Sequence, residues 1–478
     1  MGNPGANILV PIAFLGWTPF VFFLYKKLDA RLVPVIAYVI GWMFLPCADY
    51  DIFLLHNTKT TVIGISVLAG AYIFDRERLL SFKFNPIDIP MVLWCTAPFF
   101  ASIFNGLGAY DGGSSMLYQT TSWGLPYYIG RIYFTDTDVL KTLALTIFIG
   151  GIIYIPFCWF EMIMSPQLHR LTYGFHQHDF VQSLRENGGY RPMVYMNHGL
   201  MTSMWMMLAS FLGSWLYYSK ALPKKIISIQ SSYLLLVLIV TTIMMQSVGA
   251  ICYFFIGLAV LYLSSKMNNY TLVVVLLLCP LLYISARVGG SWDGRNFSTF
   301  VAEKFSPTRA QSVQFRFDNE TILMKKALEG SFFGWGGFGR SRVFDEKGKD
   351  ISVTDGLWII VFGLYGIYGL SVMILTIQLP VVLFLFRLKP EKLKTETFAA
   401  PTAIAIFISL TMIDNLLNAM INPIYMIFGG GLVGMLIKIP ESFSGPAENN
   451  ISDLIEGIIN QGTRFIGEAG TRPSRFIS

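Results

Sequence analysis
The chain has 478 residues, 54% of them hydrophobic and only 13% charged, with a mean hydropathy of +0.55. A soluble chain carries roughly 25% charged residues, so a soluble globular enzyme is excluded and a polytopic membrane protein is expected. The net charge of +6 is not a nucleic-acid signature, because most basic residues fall in short loops beside apolar runs, where the positive-inside rule puts them.

A hydrocarbon core about 30 Å thick needs roughly 20 apolar residues per helix. In chain order, spans are expected near residues 6–25, 32–46, 60–75, 88–104, 114–134, 139–160 and 197–218. Further spans are expected near 226–244, 248–265, 270–286, 357–386, 399–420 and 422–439. The first run is followed by Lys26 and Lys27 and lacks both a basic leader and a small-residue cleavage site, so it reads as a retained helix. The fifth span is polar at its start, and the run 357–386 is long enough to tilt or extend past the bilayer. Cys47, Cys95, Cys158, Cys252 and Cys279 have no metal-ligand spacing and read as small buried hydrophobes.

Loop charge sets the expected orientation. With the N-terminus outside, Lys26, Lys27, Arg31, Arg76, Arg78, Lys83, Lys220, Lys224, Lys225, Lys266, Arg387, Lys389, Lys392 and Lys394 fall in cytoplasmic loops. Two large loops, 161–196 and 287–356, then face outward from a transmembrane unit spanning 1–439. The polar segment 440–478 is expected to be a poorly ordered cytoplasmic tail.

These outer loops concentrate the functional chemistry. Arg287, Arg295, Arg309 and Arg316 lie in the second, and Arg191 closes the first, presented from extended backbone because Pro192 follows it. Arginines on the side that the positive-inside rule disfavours suit anion handling, since a guanidinium stays charged and grips phosphate with two parallel hydrogen bonds. Asp318 or Asn319 is expected to cap a short amphipathic helix, NETILMKKALE, that Gly330 ends. Beyond it, Gly334-x-Gly336-x-x-Gly339 is a literal dinucleotide fingerprint without a βαβ context, so it reads as a flexible turn. Trp335 and Arg340 there are candidate sugar contacts.

His169, His176 and His178 with Asp179, and Asp49 with Asp51, are the remaining clusters that suit a metal. Surface histidines and chance carboxylate pairs account for them, and no metal site is assigned. His198 opens a helix near Arg191 and is a candidate substrate contact. Asp414, Asn415 and Asn418 interrupt an apolar span and read as helix-joining polar residues. No nucleotide-binding or hydrolase motif is present, and no cofactor is expected.

The run Ser312-x-x-x-Arg316, the amphipathic helix, SFFGWGGFG and then TDGLWIIVFGLYGIYGL resembles the O-antigen ligase/polymerase superfamily. Arg191 before the helix that follows the first large loop, QSVGAICYFFIGLAV, and DNLLNAMINPIYMIFGGGLVG resemble further parts of it, over roughly residues 110–438. The chain departs from the family pattern at Phe332 (proline there), at Ser247-Val248 (Ser-Arg), and at Asp355-Gly356 (His-Asn). The resemblance implies an all-α, GT-C-like fold of about 12–13 transmembrane helices with two large periplasmic loops in the bacterial inner membrane. It implies transfer of a glycan from an undecaprenyl-diphosphate carrier to a glycan or lipid acceptor, alongside other polysaccharide-assembly proteins. Arg191, Arg316 and Arg309 would bind the diphosphate, and Asp355, Glu320 or Asp318 would serve as base. The reading from a different class is a transporter that moves the lipid-linked oligosaccharide without chemistry.

Overall fold
A computed structural model describes residues 5–439 except 53–54, 186–187, 305 and 331; the tail proposed for 440–478 lies outside the described residues. The chain is helical almost throughout. It begins with α1 (Leu9–Lys27) and α2 (Leu32–Phe44), then a small hairpin of β1 (Asp49–Ile52) and β2 (Leu55–Thr58). There follow α3 (Lys59–Phe74), the short α4 (Arg76–Leu80), α5 (Ile89–Phe104), α6 (Ala109–Gln119) and α7 (Leu125–Tyr133). Next come α8 (Thr137–Met164), the short α9 (Leu168–Tyr173) and α10 (Gly199–Tyr218). A second small hairpin, β3 (Lys225–Ile226) with β4 (Ile229–Gln230), precedes α11 (Ser231–Met244), α12 (Val248–Met267) and α13 (Thr271–Val288). The last part comprises α14 (Arg295–Lys304), α15 (Pro307–Glu329), α16 (Leu357–Arg387), α17 (Ala399–Leu417) and α18 (Pro423–Lys438).

Among the described residues, eight helices are long and apolar enough to cross a membrane: α1, α5, α8, α10, α12, α13, α16 and α17. This is the pattern of an all-α polytopic membrane protein. The shorter apolar helices α2, α3, α11 and α18 occupy four more of the expected spans. At the remaining one, 114–134, α6 runs into α7 through a π-helical stretch at Thr120–Gly124.

At the centre lie α10 and α17, almost wholly buried, with α8, α11, α12, α13, α16 and α18 around them. Small residues let backbones meet: a Cβ at Gly130 of α7 would sit 2.5 Å from the Ile427 carbonyl oxygen of α18. That close approach gives dispersion contact where hydrophobic exclusion of water is no longer available. Arg131 of α7 donates to fully buried Asp88 at 2.7 Å, with Tyr127 donating to the same carboxylate at 2.9 Å, which fixes α7 to the start of α5.

The long α16 is kinked rather than simply tilted. Gly366 has φ +63°, inside the left-handed region, which opens the helical ladder at Gly363 and Leu364. The glycine-aromatic turn fills the gap: Trp335 N–H donates to the Gly363 carbonyl (3.0 Å) and Gly336 N–H to that of Leu364 (2.9 Å). Backbone groups freed inside an apolar layer cost several kcal/mol each unless they find partners, so the turn acts as a plug. Its resemblance to a dinucleotide fingerprint is coincidental; Gly334 is needed because a Cβ there would lie 2.5 Å from the Gly366 nitrogen.

The outer helix differs from its expected extent. Instead of a short NETILMKKALE helix capped by Asp318 or Asn319, α15 runs 23 residues from Pro307, capped by the Ser306 hydroxyl, which accepts from Arg309 N–H. Pro at the first helical position after a Ser is a strong start signal, and it places Arg309 and Arg316 two turns apart on one face. Gly330 does end the helix.

Substituting Gly366→Ala tests the plug. A side chain there would meet the Phe332 carbonyl at 2.2 Å in a left-handed conformation. We expect a loss of at least about 2 kcal/mol, read as a lower unfolding temperature of the detergent-solubilised protein; wild-type stability would contradict the assignment.

Candidate anion site
Two long segments between spanning helices, one after α8 and one after α13, come together on the same side of the bundle, and their arginines meet. Arg191 packs its stem on Gly199, the first residue of α10; a Cβ there would lie 2.5 Å from the Arg191 Cδ. The Arg191 Nε is buried and has no hydrogen-bond partner. Burial first, and then the guanidinium groups of Arg185, Arg316 and Arg309, hold Arg191 down to about 9, still cationic at neutral pH. Burial is the larger cause, and the like charges around the group add to it.

Arg316 is tied on two sides. Its Nη1 lies 3.4 Å from the Asn418 Oδ1, and its Nε lies 3.7 Å from the Asp355 Oδ2, on a carboxylate one-third exposed. Asn418 in turn donates to Asp414 at 2.6 Å. The backbone places Asp355: Val353 N–H donates to Asn319 of α15 (2.8 Å), and Leu357 N–H to the Asn418 carbonyl (3.0 Å). Neither Arg191 nor Arg309 forms an ion pair among the described residues.

His198 caps α10 with its Nδ1 accepting from Leu200 N–H (2.9 Å), so the proton sits on Nε2, which faces the Gln182 Oε1 at 3.1 Å. Burial, then His178, Arg191, Arg316 and Arg185 push His198 down to about 3. It is a neutral cap with both nitrogens engaged, beside the anion site. The His178 ring stands edge-on to it at 4.4 Å. With the amino terminus of a 20-residue helix beside them, whose dipole also favours negative charge, these groups form an electropositive niche.

The other expected site residues sit elsewhere. Glu320 is buried and fully used: Tyr283 (2.6 Å) and Arg287 (3.2 Å) donate to one oxygen and Trp358 (3.2 Å) to the other. Burial raises its pKa, but its oxygens are occupied by structural partners. Asp318 is exposed and accepts from Gln314 at 2.8 Å; two residues from Arg316, it lies on another face of α15. Trp335 and Arg340 line a wide cleft with Lys325, Lys326 and Arg342, which none of Arg185, Arg191, Arg309 and Arg316 lines. There Trp335 donates to the Lys326 carbonyl (2.7 Å) and Arg340 to that of Asn105 (3.1 Å).

Among the described residues no three His, Cys, Asp or Glu side chains are grouped to hold a metal ion. His169 is consumed by the fold, between Cys47 N–H (3.0 Å) and the Phe175 carbonyl (2.9 Å). Sequence reasoning assigned no part of the niche to Arg185, His178, Gln182 or Asn418. A signal existed for one of them: an Asn at the outer end of an apolar span is a polar group that needs a nearby partner.

No protein-family model matches the chain, and comparison with curated proteins finds no match.

A niche of mutually repelling guanidinium groups predicts stabilisation by a polyanion. Inorganic diphosphate at a hundred times its dissociation constant should add about 2.7 kcal/mol of stability, seen as a rise in unfolding temperature. The rise should vanish in the Arg191→Ala/Arg316→Ala double variant; an equal rise in both proteins would show that the anion binds elsewhere.

Proposed function
We propose that the chain is a membrane glycosyltransferase that moves a glycan from an undecaprenyl-diphosphate carrier to a glycan or lipid acceptor at the outer face of the bacterial inner membrane. The observation that carries this reading is the buried, unpartnered Arg191 Nε within a cluster of Arg185, Arg309 and Arg316, with the partly exposed carboxylate of Asp355 against Arg316. The outward placement rests on loop charge: the opposite ends of the helices carry the short lysine- and arginine-rich loops.

The chemistry follows from the parts. An acceptor hydroxyl attacks the anomeric carbon, its proton passes to Asp355, and the bond from that carbon to the diphosphate oxygen breaks. The electron pair stays on the departing diphosphate, whose growing charge Arg191 and Arg316 neutralise, with Arg309 at the edge. A single displacement of this kind inverts the anomeric configuration. Arginines supply here the charge compensation that a divalent cation supplies in many transferases, so the reaction is read as metal-independent and needs no cofactor. Arg316 bridges base and leaving group, which couples their positions. His198, with both nitrogens engaged, serves to shape the niche rather than to move a proton. The GT-C-like architecture and the ligase or polymerase character suggested by the resemblance belong to this same proposal.

A protein that merely moved the lipid would need alternating access at the midplane, usually at paired broken helices in repeated halves. Here the arginines of the proposed site gather at one end of the bundle, and the break in α16 is filled by the plug.

Arg191→Ala and Arg316→Ala should each abolish polymer or ligated glycan while the protein still inserts. Asp355→Asn should slow turnover by about 100-fold or more, the scale of losing a general base, with the donor still bound. Normal product from both arginine variants would overturn the site.

A further inference from the structure
Glu161 lies in the last turn of α8 and is completely buried, yet it faces no cation among the described residues. Its Oε2 accepts from the N–H groups of Met193 (2.8 Å) and Val194 (2.7 Å), and its Oε1 from that of Leu168 (2.9 Å). One residue further along, the Tyr195 carbonyl accepts from the Lys59 Nζ at 3.0 Å. Lys59 is only 4% exposed; it also donates to the Trp42 carbonyl (3.3 Å), and its ammonium rests 4.2 Å from the Trp42 ring centre. The buried side chains of Glu161 and Lys59 thus both hold the backbone of one short segment, Glu161 through the N–H groups of Met193 and Val194 and Lys59 through the Tyr195 carbonyl.

That segment is the one that carries Arg191. Val194 within it has φ +53°, a left-handed conformation that a β-branched residue adopts only when its surroundings enforce it. The Arg191 N–H donates to the Ser183 carbonyl (2.7 Å), and the Met193 carbonyl accepts from Thr202 (2.8 Å), so the backbone is held from Arg191 to the first turn of α10. Burying each charge costs several kcal/mol. A neutral amide side chain has one acceptor atom, whereas a carboxylate has two and can take all three N–H groups at once.

We propose that Glu161 is a positioning residue of the anion site, holding Arg191 at the donor diphosphate through the backbone of Met193 and Val194, with Lys59 fixing the far flank. The arrangement rests on the proposed reading of the arginine cluster. It places negative charge near enough to hold the segment but never on the guanidinium itself, which stays available to the substrate.

A double-mutant cycle tests this, using inorganic diphosphate as the probe and calorimetric titration of the full-length protein in detergent. Glu161→Gln should weaken diphosphate binding about tenfold, the scale of coupling between residues that act as one unit. In an Arg191→Ala background the same substitution should change affinity by less than about twofold. Wild-type affinity in Glu161→Gln, or an equal loss in both backgrounds, would overturn the proposal while leaving the diphosphate site standing. Wild-type affinity in Arg191→Ala would instead remove the diphosphate reading itself. Should Glu161→Gln fail to fold, Lys59→Met enters the same cycle with the same expected pattern and the same overturning results.

Discussion
The burial of Arg191, with Arg185, Arg316 and Arg309 near enough to act on its charge, is the constraint on which the rest of the structure turns. Like charges gathered in a half-dry niche raise the energy of the folded protein unless an anion joins them, and natural sequences keep such strain where it serves a site. The remaining architecture can be understood as what keeps these groups together. The buried bundle around α10 and α17 fixes where the two outer segments start. The plug at Gly366 fixes where the second one returns to the membrane and delivers Asp355. Where a nearby carboxylate is fully buried, it is engaged elsewhere: Glu161 on peptide N–H groups, Glu320 on Arg287, and Asp414 on Asn418.

Much of the architecture was legible in the sequence because an apolar run of membrane-spanning length has few alternatives. A helix lies at every one of the expected spans, although only eight are individually long and apolar enough to cross. The misreadings share a cause, which is that local pattern carries no information about distant partners. The start of α15 was visible as Ser306-Pro307, but the periodicity of NETILMKKALE drew attention to its second half. The break in α16 was hidden in a glycine-rich apolar stretch, since Gly366 makes sense only once the turn 334–336 is docked into it.

The site was legible in part for the same reason. Arg191 and Arg316 stood out as cations on the side where loop charge disfavours them, and Asp355 by its position at the head of α16. Glu320 looked equally available until the fold brought Arg287 and Tyr283, on α13, against it. Asp414 and Asn418 looked like helix-joining groups; the structure sets Asn418 against Arg316 instead. Arg185 carried no signal at all, because nothing in its neighbourhood distinguishes a clustered arginine from a solvated one.

The central claim is that these arginines serve a bond-breaking step on a lipid diphosphate. Its most direct measurement is glycosyl transfer by the purified protein, given a lipid-linked glycan donor and an acceptor, with and without EDTA. Transfer with release of the lipid diphosphate is expected, at a rate that EDTA leaves unchanged. Donor recovered intact in the presence of acceptor, or transfer that stops on chelation, would contradict it.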